Sequence, residues 1–322
     1  MAEAQLIEDY QLVAQGRLRE ALARSDSLVR RYPDFALANL LRGDLLLAQA
    51  GRLRRFADFT APPDRQPELA ALVREARARL LAYQDAPLPG RVPSNFVALG
   101  PQVRHAILVD TGRSRLYLFV RNPQGELRLE ANFYVTQGKS GADKRLAGDM
   151  RTPSGVYFIT RKVGRRWLGP VYGNGAMPLN YPNAWDRYLG RTGGGIWLHG
   201  VQSGNYAQPP LDSNGCVVLA NPDLAALMQS VVPDLTPVVI TDHVRWITPS
   251  QLASRRARLQ TALGRVAPAL LHGDATLLEY QGKRPLLVTQ YASQIGDVAT
   301  LHRDYWTDQG GRWNLVHAGV VS

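Results

Sequence analysis

The chain has 322 residues, of which 45% are hydrophobic and 20% charged; this is the composition of a folded globular protein long enough for two or three domains. No apolar stretch reaches about 18 residues, so no membrane-spanning helix is predicted. The single cysteine, Cys216, excludes an internal disulfide framework and any zinc site that needs several thiolates.

The formal net charge is +11, and most of the excess lies in the middle of the chain, where residues 91–245 carry 17 Lys/Arg against 10 Asp/Glu. Such a segment suits an anionic partner: nucleic acid, a membrane surface or a polycarboxylate. The sequence has no Lys/Arg-rich tract and no aromatic RNA-binding signature, so nucleic acid is the weakest of the three.

Residues 5–83 are predicted to be helical because apolar residues recur at steps of three and four. One helix runs from about Phe35 to Ala50. Gln15-Gly16-Arg17-Leu18-Arg19 is echoed 35 residues later at 50–54, close to the ~34-residue period of tetratricopeptide-type (TPR-like) hairpins. A small helical bundle is the alternative. Either form predicts an interaction or packing module, with a protein partner possible at these helices.

Four prolines at residues 84–101 predict a linker. A strand-rich region follows, with strands at 105–110, 115–121, 127–137, 155–160, 195–199 and 238–241, and a helix at 221–230. After Trp246, a helix to about Leu263 precedes strands at 285–293, 299–308 and 312–321. The predicted domains are therefore helical at 1–90 with a linker to about 100, mainly β at 101–245, and α+β at 246–322.

Cys216 and His199 are the candidate catalytic pair. A thiolate becomes a strong nucleophile when a nearby imidazole takes its proton. The glycine before Cys216 allows a tight turn that presents backbone N–H groups to an oxyanion. The alternatives stay open at this point, because a lone cysteine is usually a small buried apolar residue and a lone histidine beside a tryptophan is usually structural.

The surrounding residues resemble the L,D-transpeptidase catalytic domain (YkuD-type), whose signature is His-Gly, a spacer and Ser-x-Gly-Cys. The matching blocks are Gly148-Asp149-Met150-Arg151-Thr152-Pro153-Ser154-Gly155-Val156-Tyr157, Tyr181-Pro182-Asn183, Gly190-Arg191-Thr192-Gly193, His199-Gly200 and Ser213-Asn214-Gly215-Cys216. They occur in family order over roughly residues 101–243.

The resemblance implies a role for each matching position. Cys216 is the acylated nucleophile, His199 its general base, and the Gly200 carbonyl orients the imidazole. Backbone N–H groups of Gly215 and Cys216 form the oxyanion hole, and Ser213 is a supporting residue.

One position departs from the pattern. Many members carry Arg two residues after the cysteine, where this chain has Val218. Arg191 and Arg187 are the predicted replacements, because a guanidinium binds a carboxylate through two hydrogen bonds; exposed solubilising charge is the alternative. Tyr181, Trp197 and Tyr206 are predicted to line the cleft.

The departure makes the chain more similar to a branch of L,D-carboxypeptidases with an NTF2-like C-terminal domain, which residues 246–322 resemble. The resemblance implies a cysteine enzyme that acts on peptidoglycan stem peptides at the L-centre of the third residue, diaminopimelate, without metal or organic cofactor. Hydrolysis and transpeptidation stay open, as do release of a wall-linked lipoprotein and a non-catalytic wall-binding scaffold.

The predicted location is the periplasm or cell envelope. Residues 1–5 lack the positive start and apolar run of a signal peptide, so we expect a mature sequence whose signal has been removed. A cytoplasmic protein is the alternative.

Overall fold

The computed structural model describes residues 2–53, 57, 62–267, 274–295 and 298–321. The helical prediction for the N-terminal region is confirmed, including the helix expected from Phe35 to Ala50. None of the helices in the described ranges has the length and apolar character needed to cross a bilayer. The four N-terminal helices are α1 (Ala2–Ala14), α2 (Leu18–Arg31), α3 (Ala36–Gln49) and α4 (Gln66–Gln84).

The two copies of the Gly-Arg-Leu-Arg echo end their helices in the same way. Gly16 and Gly51 both have positive φ, +73° and +67°. The next N–H in each copy bonds five residues back, Arg17 to Leu12 O and Arg52 to Leu47 O, both at 2.9 Å. This is the Schellman helix stop, which favours glycine. Arg54, the last residue of the second copy, lies outside the described residues, and the TPR-like assignment stays a prediction.

The remaining described residues form strands of two to twelve residues, with three α-helices between them. The helices are α5 (Ala184–Tyr188), α6 (Asn221–Ser230) and α7 (Pro249–Gly264). The strands are β1 (Val92–Pro93), β2 (Phe96–Ala98), β3 (His105–Asp110), β4 (Arg115–Arg121), β5 (Leu127–Tyr134), β6 (Gln137–Gly138), β7 (Gly155–Phe158), β8 (Val163–Gly164), β9 (Gly175–Pro178), β10 (Trp197–Gly200), β11 (Leu211–Ser213), β12 (Val217–Leu219), β13 (Pro237–Thr241), β14 (Trp246–Ile247), β15 (Thr276–Gln281), β16 (Pro285–Ile295), β17 (Val298–Gln309) and β18 (Arg312–Val320).

Two main sheets build the central unit, beside the two-stranded pair of β6 and β11. The larger has the order β5-β4-β3-β13-β7, and the smaller has the order β12-β10-β9-β8. Strand β3 shows why the larger sheet is buried on both faces. Its Ile107 and Val109 enter the core shared with the smaller sheet and α6, while Ala106 and Leu108 enter a second core on the opposite face. Alternate side chains of a strand point to opposite faces, so an uninterrupted apolar run fits this position.

The C-terminal unit is one helix packed on an antiparallel sheet, as the sequence predicted. Its strand order is β18-β17-β16-β15-β2, and Leu259 and Leu263 of α7 pack against Leu277 and Trp306 of that sheet. Strand β15 was missed by the sequence prediction. The NTF2-like assignment of this unit stays a prediction.

The predicted linker at 84–101 is wrong for its second half. Residues 92–98 are buried and form two strands: β1 pairs with β14, and β2 pairs with β15. Of the four prolines, Pro93 lies within the buried strand β1, whereas Pro89 and Pro101 are exposed. The apolar run Phe96–Ala98 is too short to indicate a strand without its partner.

The central and C-terminal units share a hydrophobic core. Leu278, Leu286 and Val288 of the C-terminal sheet lie in one buried cluster with Leu108 and Val239 of the larger central sheet. The predicted boundary near residue 245 therefore falls between two units that bury each other's apolar surface. The boundaries themselves stay a prediction.

Candidate active site

His199 and Cys216 are brought together by two adjacent parallel strands. In the β10–β12 pair, His199 lies opposite Val218 and Leu198 opposite Val217. Cys216 immediately precedes β12 and is therefore next to Trp197 in this register. Paired residues of neighbouring strands share a face, and alternate residues along a strand return to it. His199, Trp197, Val218 and Cys216 consequently share one side of the sheet.

The imidazole of His199 is held by its neighbour's backbone. Its Nδ1 lies 2.7 Å from the Gly200 carbonyl oxygen. A carbonyl only accepts hydrogen bonds, so Nδ1 carries the proton and Nε2 is left as the basic nitrogen. Burial lowers the pKa of His199, and the Gly200 carbonyl opposes that shift. The ring is therefore neutral at neutral pH, as a general base must be.

Gly200 itself is required by close packing. A Cβ at this position would lie 2.1 Å from Asn221 Oδ1. Asn221 accepts from the Asn174 N–H at 2.9 Å and donates to the Val201 carbonyl at 2.8 Å. Asn221 therefore ties the turn after His199 to the start of α6, a role the sequence analysis missed.

The thiol of Cys216 is half-buried, and its Sγ donates to the Gly195 carbonyl at 3.4 Å. Burial raises the pKa of Cys216, while the Trp197 backbone N–H and the charge of Lys144 act in the opposite direction. The resting group is the thiol, so attack on a carbonyl requires that its proton be removed during the reaction.

Ser213 shapes the turn before Cys216. Its Oγ donates to the Cys216 carbonyl at 2.6 Å and accepts from the Gly215 N–H at 3.1 Å. Of the two N–H groups predicted for the oxyanion hole, that of Gly215 is thus already engaged. Gly215 has φ of +125°, and a Cβ there would lie 2.7 Å from the Arg151 carbonyl, so glycine is needed at this position.

A buried cation, Lys144, was missed by the sequence analysis. Its side chain is only 4% exposed, and its Nζ donates to Asp149 Oδ1 at 2.6 Å and to the Leu146 carbonyl at 2.8 Å. Its backbone N–H donates to the Thr152 carbonyl, and Thr152 Oγ1 donates to the Gly215 carbonyl at 2.9 Å. The loop that carries Lys144 is therefore tied to the turn before Cys216.

An aromatic group borders His199. The Tyr172 ring centre lies 5.1 Å from that of His199 and 4.8 Å from that of Trp197. Trp197, predicted to line the cleft, lies on the same face as Cys216. Its aromatic neighbour Tyr172 was not predicted. Val218 is buried beside His199, and its N–H and carbonyl both pair with Thr136 at 2.9 Å.

The two predicted arginine replacements have internal partners. Arg191 donates to the Ser154 carbonyl, to Asp186 Oδ1 and to Asp143 Oδ1, at 2.8–3.2 Å. Arg187 is exposed and donates to the Pro182 carbonyl at 2.7 Å. In this structure Arg191 joins three segments of the central unit, and carboxylate binding would require it to exchange those partners.

The other predicted cleft residues contact different parts of the molecule. Tyr181 is buried, and its hydroxyl donates to the Thr192 carbonyl at 3.1 Å. With Arg187 it lines an open cavity of about 470 Å³ that is also lined by Arg303 of the C-terminal sheet. Tyr206 stacks on Phe35 of the N-terminal region, with ring centres 4.3 Å apart. Tyr181 and Tyr206 therefore lie in different parts of the molecule, and the substrate-binding role of Tyr181, Trp197 and Tyr206 stays a prediction.

Comparison with known proteins found one matching family model and several similar solved structures. Residues 104–240 match the family model of the L,D-transpeptidase catalytic domain, YkuD. Bd1075 of Bdellovibrio bacteriovorus has a similar structure, with a TM-score of 0.58 and 20% identity over 71% of this chain and 98% of that chain. The helical cell shape determining protein Pgp2 from Campylobacter jejuni has a TM-score of 0.54 and 20% identity over 70% of this chain and 95% of that chain. At 20% identity, the similarity of these two proteins to the chain shows a shared fold alone. No curated protein sequence matched the chain.

Proposed function

Because residues 104–240 are an L,D-transpeptidase catalytic domain of the YkuD family, we propose that the chain is a cysteine enzyme that acts on peptidoglycan stem peptides. The observation that carries the proposal is the pair formed by His199 on β10 and Cys216 just before β12. A half-buried thiol lies on the same face as a neutral imidazole whose Nδ1 is bonded to Gly200 O at 2.7 Å. A peptidoglycan substrate also requires that the protein work in the cell envelope or periplasm.

The proposed reaction begins with the thiol. Nε2 of His199 removes the Cys216 proton while Sγ attacks the carbonyl at the L-centre of diaminopimelate. The tetrahedral oxyanion collapses, the bond to D-Ala breaks, and the imidazolium returns its proton to the leaving amine. A thioester on Cys216 remains. Water then attacks it with His199 again as base, which frees the tripeptide acid and restores the thiol.

Hydrolysis is the outcome we propose, since the position two residues after the nucleophile, which many family members fill with arginine, is the buried, apolar Val218. An amine from a second stem would give a cross-link from the same thioester, and a protein-linked substrate would give lipoprotein release. All three reactions use the same two side chains.

The test is incubation of the purified protein with disaccharide tetrapeptide, followed by mass spectrometry. We expect loss of one D-Ala and no dimer. Cys216→Ala should abolish D-Ala release without lowering the melting temperature. Ser140→Ala, on the neighbouring loop, should release D-Ala as the wild type does. A cross-linked dimer would instead indicate transpeptidation. D-Ala release by Cys216→Ala would overturn the mechanism.

A thiol-based test separates the enzyme from the scaffold alternative. Cys216 is the only cysteine, so any covalent adduct reports on it alone. A catalytic Cys216 should acylate with a carbapenem, whereas an unreactive thiol together with an inert tetrapeptide would favour the scaffold.

A further inference from the structure

A short basic and aromatic segment borders the candidate active site. We call residues 161–172 the rim segment. It contains Arg161, Lys162, Arg165 and Arg166 and no acidic residue, and all four cations are exposed. Within the described part of the chain none of them forms an ion pair. The prediction that the chain has no Lys/Arg-rich tract is wrong for this cluster, in which four of the six residues 161–166 are cations.

An exposed tryptophan stands among these cations. Trp167 is 72% exposed, and the Arg166 guanidinium lies 5.0 Å from the centre of its ring. Four residues later Val171 is 52% exposed. Tryptophan is the largest apolar side chain and gains free energy from burial. An open indole beside unpaired cations therefore indicates a binding surface better than a packing role.

The rim segment leads directly to the catalytic histidine. It includes β8, which pairs with β9, and β9 in turn pairs with β10. It ends at Tyr172, whose ring contacts those of Trp197 and His199. Gly173 then turns the chain with a φ of +59°, and a Cβ at this position would lie 2.3 Å from Asn221 Oδ1. A ligand bound along the rim segment would thus be continuous with one held at Cys216.

We propose that the rim segment is a docking site for the polymeric cell-wall strand, with the indole face of Trp167 packed on a sugar ring and the four cations paired with stem-peptide carboxylates. The proposal rests on the proposed function, because the strand is chosen as the one polymer whose peptide branch would reach Cys216. An apolar sugar face suits an indole, and carboxylates suit guanidinium groups.

The test is cosedimentation with purified insoluble peptidoglycan, carried out in the Cys216→Ala background so that no turnover occurs. Trp167→Ala should weaken binding about tenfold, equivalent to about 1.4 kcal/mol. The pair Arg165→Ser and Arg166→Ser should also weaken binding and reduce its salt dependence. Both sites are exposed, and unchanged melting temperatures would confirm that the variants fold.

Matched controls lie elsewhere on the surface. Arg128→Ser removes a cation that is 71% exposed on β5, and Tyr83→Ala removes an aromatic ring that is 52% exposed on α4. Neither should change the bound fraction.

Binding that survives both rim substitutions would overturn the proposal. So would rim-dependent binding to vesicles of anionic phospholipid with none to peptidoglycan, which would assign the segment to a membrane surface. Failure of the proposed function can be distinguished from failure of the docking site. A wild-type protein that does not act on tetrapeptide but binds peptidoglycan through Trp167 would contradict the enzyme and support the docking site.

Discussion

At the residue scale, the reaction depends on the protonation of two side chains. Burial lowers the pKa of His199 below the 6.5 of an ordinary imidazole, and burial also raises that of the Cys216 thiol. The pair therefore rests as thiol and neutral imidazole, and a protonated ring is unable to accept the thiol proton. We expect kcat/KM for D-Ala release to fall with decreasing pH through a midpoint below 6.5. A midpoint above that value would show that the free imidazole is not the base.

Lys144 sets a second expectation at this scale. Its positive charge favours the thiolate of Cys216, so Lys144→Gln, which keeps hydrogen-bond donors but loses the charge, should raise the thiol pKa. Alkylation of Cys216 by iodoacetamide at pH 7 should slow about threefold. This corresponds to an upward shift of about half a pH unit in the midpoint of the alkylation-rate profile against pH.

Two further variants distinguish charge from packing at Lys144. Lys144→Arg keeps the charge and should retain a near wild-type alkylation profile. Lys139→Gln removes an exposed cation from the same loop and should have no effect. An unchanged profile for Lys144→Gln, or equal changes for the Gln and Arg variants, would contradict the electrostatic role.

At the scale of elements, the loop between His199 and Cys216 is held by the N-terminal helices. The Tyr206 N–H donates to the Asp34 carbonyl at 3.1 Å, and its ring stacks on Phe35 in the turn before α3. Two residues later, the Gln208 carbonyl accepts from Tyr134 and Thr136, each at 2.9 Å. The N-terminal helical region therefore supports a loop of the candidate site. This role is separate from the predicted binding of a protein partner.

Removal of the Tyr206 ring should loosen this contact. We expect Tyr206→Ala to cost about 2 kcal/mol of stability, because it deletes a stacked and partly buried ring, and to increase hydrogen exchange at residues 201–210. Tyr206→Phe keeps the ring and should behave as wild type. Unchanged exchange in Tyr206→Ala would mean that the helices do not support the loop.

At the scale of the whole molecule, the central and C-terminal units are expected to unfold together, since they share one buried cluster. Leu278 is fully buried in it, and Leu278→Ala should lower the free energy of unfolding by about 3 kcal/mol. The reactivity of Cys216 in increasing denaturant should shift by the same amount as the fluorescence transition. Leu315→Ala, at a half-exposed site on β18, should change stability by less than about 0.5 kcal/mol. Separate transitions for thiol and fluorescence would contradict a shared core.

The sequence by itself determined the elements whose signals are local. Strands β3 and β4 and helix α6 have the predicted bounds, because continuous apolar runs and a proline in the first helical turn act within a few residues. It also identified Cys216, His199 and Gly200 as candidates, since the residues that identify them are close in the chain.

Only the tertiary structure decided the features that depend on distant partners. Strand β2 needs β15, about 180 residues away, to be recognised as a strand. Lys144 becomes relevant to Cys216 only through the loop contacts at Thr152 and Gly215. Tyr206, predicted for the cleft, packs on Phe35 because the helical region folds back onto the central unit. Each of these outcomes is set by long-range packing, which local periodicity and motif spacing do not encode.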